Sequence, residues 1–448
     1  MPAPIVDAVT AVLVHGGDLY LTRRPPQMAA FPGYWAFPGG KVDRGEADTP
    51  LPAPFDAFPP KLMHALIREL IEEAGLDLRV EAAAGRLRGL ALLGEATTPD
   101  FVPLRFRTWF FRLDFSERPR IVADAGEVAE DGWFSPALLR ARYRKGRLLV
   151  VPPTLAVIER LSGDPQARVV PDLALSFDPE RVVPAVEPIA GVRMLLPRSN
   201  TLPPADRTNA ILIGDAGARR VLIDPAPGSD AEYTRLVNTL DGEIDEIFLT
   251  HHHPDHRERA DRLARELGVP LAMSADTRTR IAARTRGTYF EGVEVRTVAE
   301  GDELTRWNGE AVTAYAVPGH DEGQLALMPA ERQWCLVSDL IQGVGTVVVG
   351  GPEGHMGKYF SSMQRVIDWD PAAILPSHGM AMGTTHRIRE TLEHRRQREQ
   401  QVLALHRAGQ SPEQMLPAIY PGLAPGLLPL ARLNIESHLA KLREENRL

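Results

Sequence analysis

Thr250-His251-His252-His253-Pro254-Asp255-His256 follows directly on Ile244-Asp245-Glu246-Ile247-Phe248-Leu249. The upstream run is apolar-rich and reads as a buried strand, so the histidines sit at its end. Their pattern is H-x-H-x-D-H. The alternate residues His251 and His253 can turn to one metal ion; Asp255 and His256, one turn on, can reach a second. Imidazole nitrogen combined with carboxylate oxygen suits zinc. A chance His-rich loop would have no counterpart downstream. Here Val317-Pro318-Gly319-His320, Leu336-Val337-Ser338-Asp339 and Leu375-Pro376-Ser377-His378-Gly379 each close an apolar run, and each puts a ligand-type residue at the end of a strand.

The 448 residues predict two or three domains, and 44% hydrophobic with 25% charged residues is a globular composition. No apolar run reaches the roughly 18 residues of a membrane span, so no membrane partner is expected. The N-terminus lacks the basic stretch and apolar core of a signal peptide. Cys335 is the single cysteine, which excludes an internal disulfide and fits a reducing cytoplasm. A net charge of −8 argues against a broad nucleic-acid-coating surface, though not against a local basic groove.

Ahead of the histidine motif lies a second constellation. Ala8–His15 and Leu19–Arg23 read as a hairpin turned by Gly16-Gly17-Asp18. Then come Trp35-Ala36-Phe37-Pro38-Gly39-Gly40-Lys41-Val42-Asp43-Arg44-Gly45-Glu46 and, after a gap, Arg68-Glu69-Leu70-Ile71-Glu72-Glu73-Ala74-Gly75-Leu76. Lys61 to Ala74 is predicted helical and ended by Gly75. Glu69, Glu72 and Glu73 then share one face, and three carboxylates there repel unless a hard cation such as Mg²⁺ or Mn²⁺ sits among them. Arg68 is placed to fix a glutamate by a bidentate pair.

Together these runs resemble the Nudix box, with Gly40 and Glu46 at the family spacing. The resemblance implies an α/β/α sandwich over residues 1–162 that hydrolyses a nucleoside diphosphate derivative. In it Gly40 contacts substrate, Glu69, Glu72 and Glu73 hold Mg²⁺ or Mn²⁺, and Glu72 is catalytic. The second half of the box stands 14 residues further along than the pattern allows. The insert Ala47–Pro60, with five prolines, is expected as a looped-out, non-helical excursion. An enlarged box also occurs in coenzyme A-cleaving Nudix proteins, but Ala29 stands where their accessory motif has arginine. Phe101–Phe115 alternates like a half-buried strand, and Glu127-Val128-Ala129-Glu130-Asp131-Gly132-Trp133-Phe134 reads as the late strand, with Glu127 as a further candidate metal ligand or base. Val151–Leu161 reads as the closing helix.

Residues 163–187 are expected as a linker within the proline-rich Ser162–Pro204. Residues 188–385, with the four ligand-bearing strand ends, resemble the metallo-β-lactamase superfamily. That implies an αββα sandwich with metals at one edge. Carried over by motif, His251, His253 and His320 take one zinc, Asp255, His256 and His378 the other, and Asp339 bridges them; Asp255 also orients the attacking water. Ser338 stands where the family has glycine, and Arg257-Glu258 after the motif is a further small departure. His252 and His355 are left over, and both are expected to be structural or solvated.

Residues 386–448 read as helices: Thr384–Arg407, a short one N-capped by Ser411, and Leu427–Arg447. They resemble the winged-helix-like tail of the β-lactamase-like protein 2 branch, whose animal member is a single-strand endoribonuclease. Arg395, Arg396 and Arg398 on the first helix are then candidate contacts for single-stranded RNA. The rival reading is thioester hydrolysis of a coenzyme A-type or glyoxalase II-like substrate. A third is a first domain that binds nucleotide only to regulate the second.

Overall fold

The computed structural model describes residues 5–99, 102, 104–171, 173 and 177–448. It divides into two compact units, Met1–Phe177 with Pro188–Ala190 and Asp178–Glu187 with Gly191–Leu448.

In the first unit the strands Ile5–His15 and Asp18–Arg23 pair antiparallel, with Val14 opposite Leu19. Gly16 and Gly17 turn between them at φ 58° and 89°, values a two-residue hairpin turn requires. Ile5–His15 pairs in parallel with Arg105–Phe115, which pairs antiparallel with Leu87–Thr97. Trp35–Ala36 and Glu130–Phe134 flank Asp18–Arg23. Of the strand expected over Phe101–Phe115, Phe101 lies outside the described residues. Successive side chains of a strand point to opposite faces. Val9, Ala11 and Leu13 accordingly pack with Met63, Leu66 and Leu70 of the helix Pro60–Ala74. Val12 and Val14 pack with Leu139, Val157 and Ile158 of the helices Pro136–Arg144 and Pro152–Gly163. This is an α/β/α sandwich.

Two expectations need correction. The stretch read as linker starts inside this unit: Ala167, Val170 and Leu173 join its core, and Arg112 donates to the carbonyls of Pro165 and Ala167 at 2.8 and 2.9 Å. It ends in the strand Ala185–Ile189. The insert Ala47–Pro60 is not a free loop. It contains the 3₁₀ turn Phe55–Ala57, whose Phe55 is 2% exposed and belongs to the cluster holding Met63, Leu66 and Phe111. Phe58 meets the Phe111 ring edge-on, centroids 5.2 Å apart. Burying one such ring contributes about 1.5–3 kcal/mol, more than the ~0.6 kcal/mol a doubling of loop length costs.

The second unit stacks two sheets. One runs Val295–Thr297, Leu271–Met273, Glu246–Phe248, Val221–Ile223, Ala210–Ile213, Val192–Leu195, Ala185–Ile189; the other runs Glu303–Trp307, Glu310–Ala316, Leu325–Pro329, Cys335–Ser338, Ala373–Pro376, Met382–Gly383. Helices Asp230–Thr239, Ala260–Leu267 and Ala275–Thr285 cover the first through Leu236, Leu263 and Ile281. Helices Met356–Trp369 and His386–Arg407 cover the second through Met363, Val366 and Leu392. The layers are αββα, as expected.

The tail adds Pro412–Ile419, with a full Ser411/Gln414 capping box, and Leu428–Glu444. It docks by polar bonds as well as apolar packing. Asn434 Oδ1 accepts from the Val349 N–H at 2.9 Å and from Arg395 at 3.2 Å, and Arg395 also donates to the Val347 carbonyl. Arg395 is therefore buried, 4% exposed, and cannot contact RNA. Arg398 donates to the Ile419 carbonyl and lies over the Tyr420 ring at 4.5 Å. Only Arg396 of the three is exposed, so the expected arginine row does not exist. Glu399, 3% exposed, accepts from Arg447 at 2.7 Å and pairs with Lys441 at 2.8 Å.

Cutting Ala47–Pro60 back to the family spacing should lower the Tm of the protein, and Phe55→Ala alone should cost about 3–5 kcal/mol in urea unfolding. A variant as stable as the parent would show that Phe55 packs without consequence.

Although burial opposes it, bonding to His438, Lys441 and Arg447 holds the Glu399 carboxyl down at about 2. A depressed carboxylate stabilises the fold above its unfolded value of about 4.3 and loses that contribution as pH falls toward the folded one. Glu399→Gln should thus lower Tm fully at pH 7, and the deficit should narrow as pH falls below about 4. A deficit independent of pH would mean that shape, not charge, holds the tail.

Candidate metal centre

The four strand-end segments converge. His253 Nδ1 lies 3.0 Å from His251 Nε2 and 2.9 Å from His320 Nε2. Asp339 Oδ2 lies 3.6 Å from both His320 Nε2 and His256 Nε2, and its Oδ1 lies 3.4 Å from His378 Nε2. Asp255 Oδ2 stands 3.7 Å from His378 Nε2 and 4.0 Å from His256 Nε2. Asp339 therefore spans two donor groups, His251/His253/His320 and Asp255/His256/His378. All seven residues expected from the sequence come together.

The outer nitrogens are taken. His256 Nδ1 meets Asp224 Oδ2 at 2.9 Å, His320 Nδ1 the Val348 carbonyl at 2.8 Å, His378 Nδ1 the Arg207 carbonyl at 2.8 Å, and His251 Nδ1 the Thr250 hydroxyl at 3.1 Å. A ring whose outer nitrogen is held presents the other nitrogen inward. Burial and neighbouring imidazoles push the His251 and His253 pKa values down, so both are neutral donors. Burial acts the same way on His256, but Asp339, Asp255 and Asp224 outweigh it and favour positive charge there. Against burial, His378 and His256 hold the Asp339 carboxyl well below its usual range. Among the described residues His256 Nε2 and Asp339 Oδ1 are buried without a hydrogen-bond partner. Inward lone pairs, an anionic bridge and orphaned buried donor atoms fit divalent metal ions.

Sequence reading missed the residue that holds this arrangement. Asp224 is 1% exposed at φ 48°; it accepts from the Thr250 N–H at 2.8 Å and the Thr250 hydroxyl at 2.6 Å as well as facing His256. It closes the apolar run Val221-Leu222-Ile223, the same signal that marked Asp339. Ser338 has φ 52°, which explains why glycine suits this position, and its hydroxyl meets Thr250 Oγ1 at 2.8 Å. His252 is fully buried between Asp321 and Glu353. His355 N-caps the helix Met356–Trp369. His252 also lies with His253 and Glu353 in a further group of donors gathered within 4.8 Å.

In the first unit Arg68 contacts Glu46 at 3.1 Å, Glu69 at 2.8 Å and Glu72 at 2.9 Å. Glu73 accepts from the Gly39 N–H at 2.9 Å, and burial pushes its carboxyl up to about 7, with Glu69 and Glu127 adding to the shift. Gly40 lies against the Glu69 carboxylate, where a Cβ would come within 2.4 Å. Among the described residues, donor groups gathered within 4.8 Å all fall in the second unit. Glu69, Glu72 and Glu73 share a helix but not yet a common point.

This fold and donor set are those of the metallo-beta-lactamase superfamily, whose model matches residues 203–378; the beta-lactamase-associated winged helix domain matches 411–448. The chain belongs to this superfamily, close to beta-lactamase-like protein 2. It is 31% identical over 258 residues to the Beta-lactamase-like protein 2 homolog of Drosophila melanogaster, covering 54% of this chain and 84% of that protein. It is 28% identical over 167 residues to a Hydroxyacylglutathione hydrolase of Acidiphilium cryptum, covering 37% of this chain and 61% of that one. A Beta-lactamase domain protein from Burkholderia ambifaria shares the fold, with TM-score 0.51 and 22% identity over 58% of this chain and 88% of that one. The N-terminal region is Nudix-like: it is 38% identical over 87 residues to the m7GpppN-mRNA hydrolase NUDT17 of Danio rerio, 19% of this chain and 24% of that protein. The chain is thus a metal-dependent hydrolase. Among the described residues no helix is long and apolar enough to cross a membrane.

Asp224→Asn keeps the shape and tolerates the same backbone conformation, but it removes the charge facing His256. It should weaken metal retention by about 10–100-fold, read as metal content across a chelator titration, with Tm little changed. Unaltered retention would leave Asp224 a purely structural residue.

Proposed function

We propose that the second unit is a dinuclear zinc phosphodiesterase acting on single-stranded RNA, and that the first is a Mg²⁺- or Mn²⁺-dependent diphosphatase of a nucleoside diphosphate derivative. In the second unit His251, His253 and His320 would hold one zinc and Asp255, His256 and His378 the other, with Asp339 lying between the two groups. Zinc there supplies a Lewis acid and an activated water at neutral pH. Asp255, 18% exposed and with its carbonyl bonded by the Thr208 hydroxyl at 2.8 Å, would orient a water held there. Glu69, Glu72 and Glu73 hold the hard cation of the first unit.

One observation carries the RNA reading. The helical tail is locked to the ligand-bearing half by the bonds of Asn434 to Val349 and of Arg395 to Val347, and its residues 411–448 match the beta-lactamase-associated winged helix domain. A small thioester needs no such wall. The thioester reading keeps one observation of its own. Thr201 reaches within 3.5 Å of His378 Nε2, and the next residue, Leu202, is 52% exposed, an apolar surface suited to an acyl chain.

The activities should separate. Glu72→Gln should abolish nucleoside diphosphate cleavage and leave zinc content and RNA cleavage intact, whereas His253→Ala should do the reverse. Each is read on purified full-length protein with both substrates and an acyl thioester. Intact RNA beside rapid thioester hydrolysis would reverse the order of the two readings.

A further inference from the structure

With Arg395 and Arg398 committed inside the fold, an RNA strand needs another cationic path. A groove of about 630 Å³ runs between the helix Met356–Trp369 and the tail helix Leu428–Glu444. Lys358 and Arg365 line it from the first helix. They stand seven residues apart, two turns on one face, or roughly 10 Å along the axis. Phe360 also lines the groove, half-buried, with its ring packed against the core and Lys441 over it at 4.9 Å. Pro318 closes the side nearest the metal centre. Ser362 donates to its carbonyl at 2.7 Å and the His355 N–H donates to the Gly319 carbonyl at 2.8 Å, so the groove shares a wall with the loop that carries His320.

Charge decides what could enter. Lys358 pairs with Glu322 at 2.6 Å, and Arg365 pairs with Glu300 while donating to the Ala316 carbonyl at 3.0 Å. Both ion pairs are about 40% exposed on each side. Exposed pairs contribute only about 0–1 kcal/mol, so a phosphate making charge-assisted bonds can exchange with these carboxylates. Lys441 differs: 9% exposed and held by Glu399 at 2.8 Å and Glu445 at 2.7 Å, it is a fixed wall. Glu445 also lines the groove and opposes anions, which limits the site to a few phosphates rather than a long duplex face.

We propose that this groove binds the RNA strand beside the scissile phosphodiester, with Lys358 and Arg365 on backbone phosphates. The inference rests on the RNA reading of the metal centre.

The test uses full-length, zinc-loaded protein, a fluorescent single-stranded RNA 20-mer, and bis(p-nitrophenyl) phosphate, which is too short to reach the groove. Lys358→Gln with Arg365→Gln should raise KM for RNA at least tenfold and flatten its log–log salt slope by about 1.4, roughly 0.7 for each lost phosphate contact. Turnover of the small phosphodiester should stay unchanged. Glu322→Gln, which frees Lys358, should instead lower KM for RNA. An unchanged KM and slope in the double variant, with wild-type RNA cleavage intact, would overturn the groove and leave the RNA reading standing. Loss of both substrates in the double variant, or a raised KM in Glu322→Gln, would also overturn it. A wild-type protein that hydrolyses the small phosphodiester yet neither binds nor cuts RNA would remove the RNA reading, and the groove with it.

Discussion

The buried carboxylate of Asp224 is the constraint on which the metal centre depends. It joins the end of one strand to the backbone and hydroxyl of Thr250 and to the outer nitrogen of His256. The same Thr250 hydroxyl continues to His251 and Ser338. One anion thereby ties the ends of the strands Val221–Ile223, Glu246–Phe248 and Cys335–Ser338 to a single geometry. A buried charge is costly unless fully bonded. Asp224 meets that condition only when these strand ends take up the positions that aim the ligand nitrogens inward. The bonds that satisfy this carboxylate are thus the same ones that aim the donor set.

The left-handed backbone at Asp224 and Ser338 belongs to the same constraint. Each residue follows an apolar run and must swing its side chain from the sheet interior to the sheet edge within one step. An extended conformation would leave the side chain in the pleat. The bonds made by both side chains offset the conformational cost of roughly 1–3 kcal/mol.

What the sequence revealed and what it hid divide along a physical line. Ligands at strand ends were legible because a short apolar run followed by His or Asp is a local pattern with one chemical use. All seven donors expected from it meet in space. The glutamate helix was legible for the same reason, down to the left-handed Gly75 that ends it. The misreadings were non-local. Arg395 has the composition of a surface cation, and nothing nearby in sequence announces that Val347 and Asn434, 48 and 39 residues away, surround it. The prolines of Ala47–Pro60 do exclude an α-helix, but they say nothing of whether Phe55 finds a core. Ala167, Val170 and Leu173 hide among prolines whose density suggested a spacer.

The two sites also solve the same electrostatic problem differently. In the second unit, Asp339 lies among imidazoles whose inner nitrogens are donors, so its negative charge is available to a cation the donors can also bind. In the first unit, Arg68 already spreads its guanidinium across Glu46, Glu69 and Glu72. A divalent ion there must share or displace that arginine. Glu46 can keep the arginine, because it bonds Nε at 3.2 Å and Nη2 at 3.1 Å while Nη1 alone reaches Glu69 and Glu72. The guanidinium is planar and moves as one fork, so a cation at the helix glutamates would share them with Nη1 while Nε and Nη2 stay on Glu46. The glutamates of the first unit are thus gathered by an arginine, whereas the donors of the second face one another around Asp339.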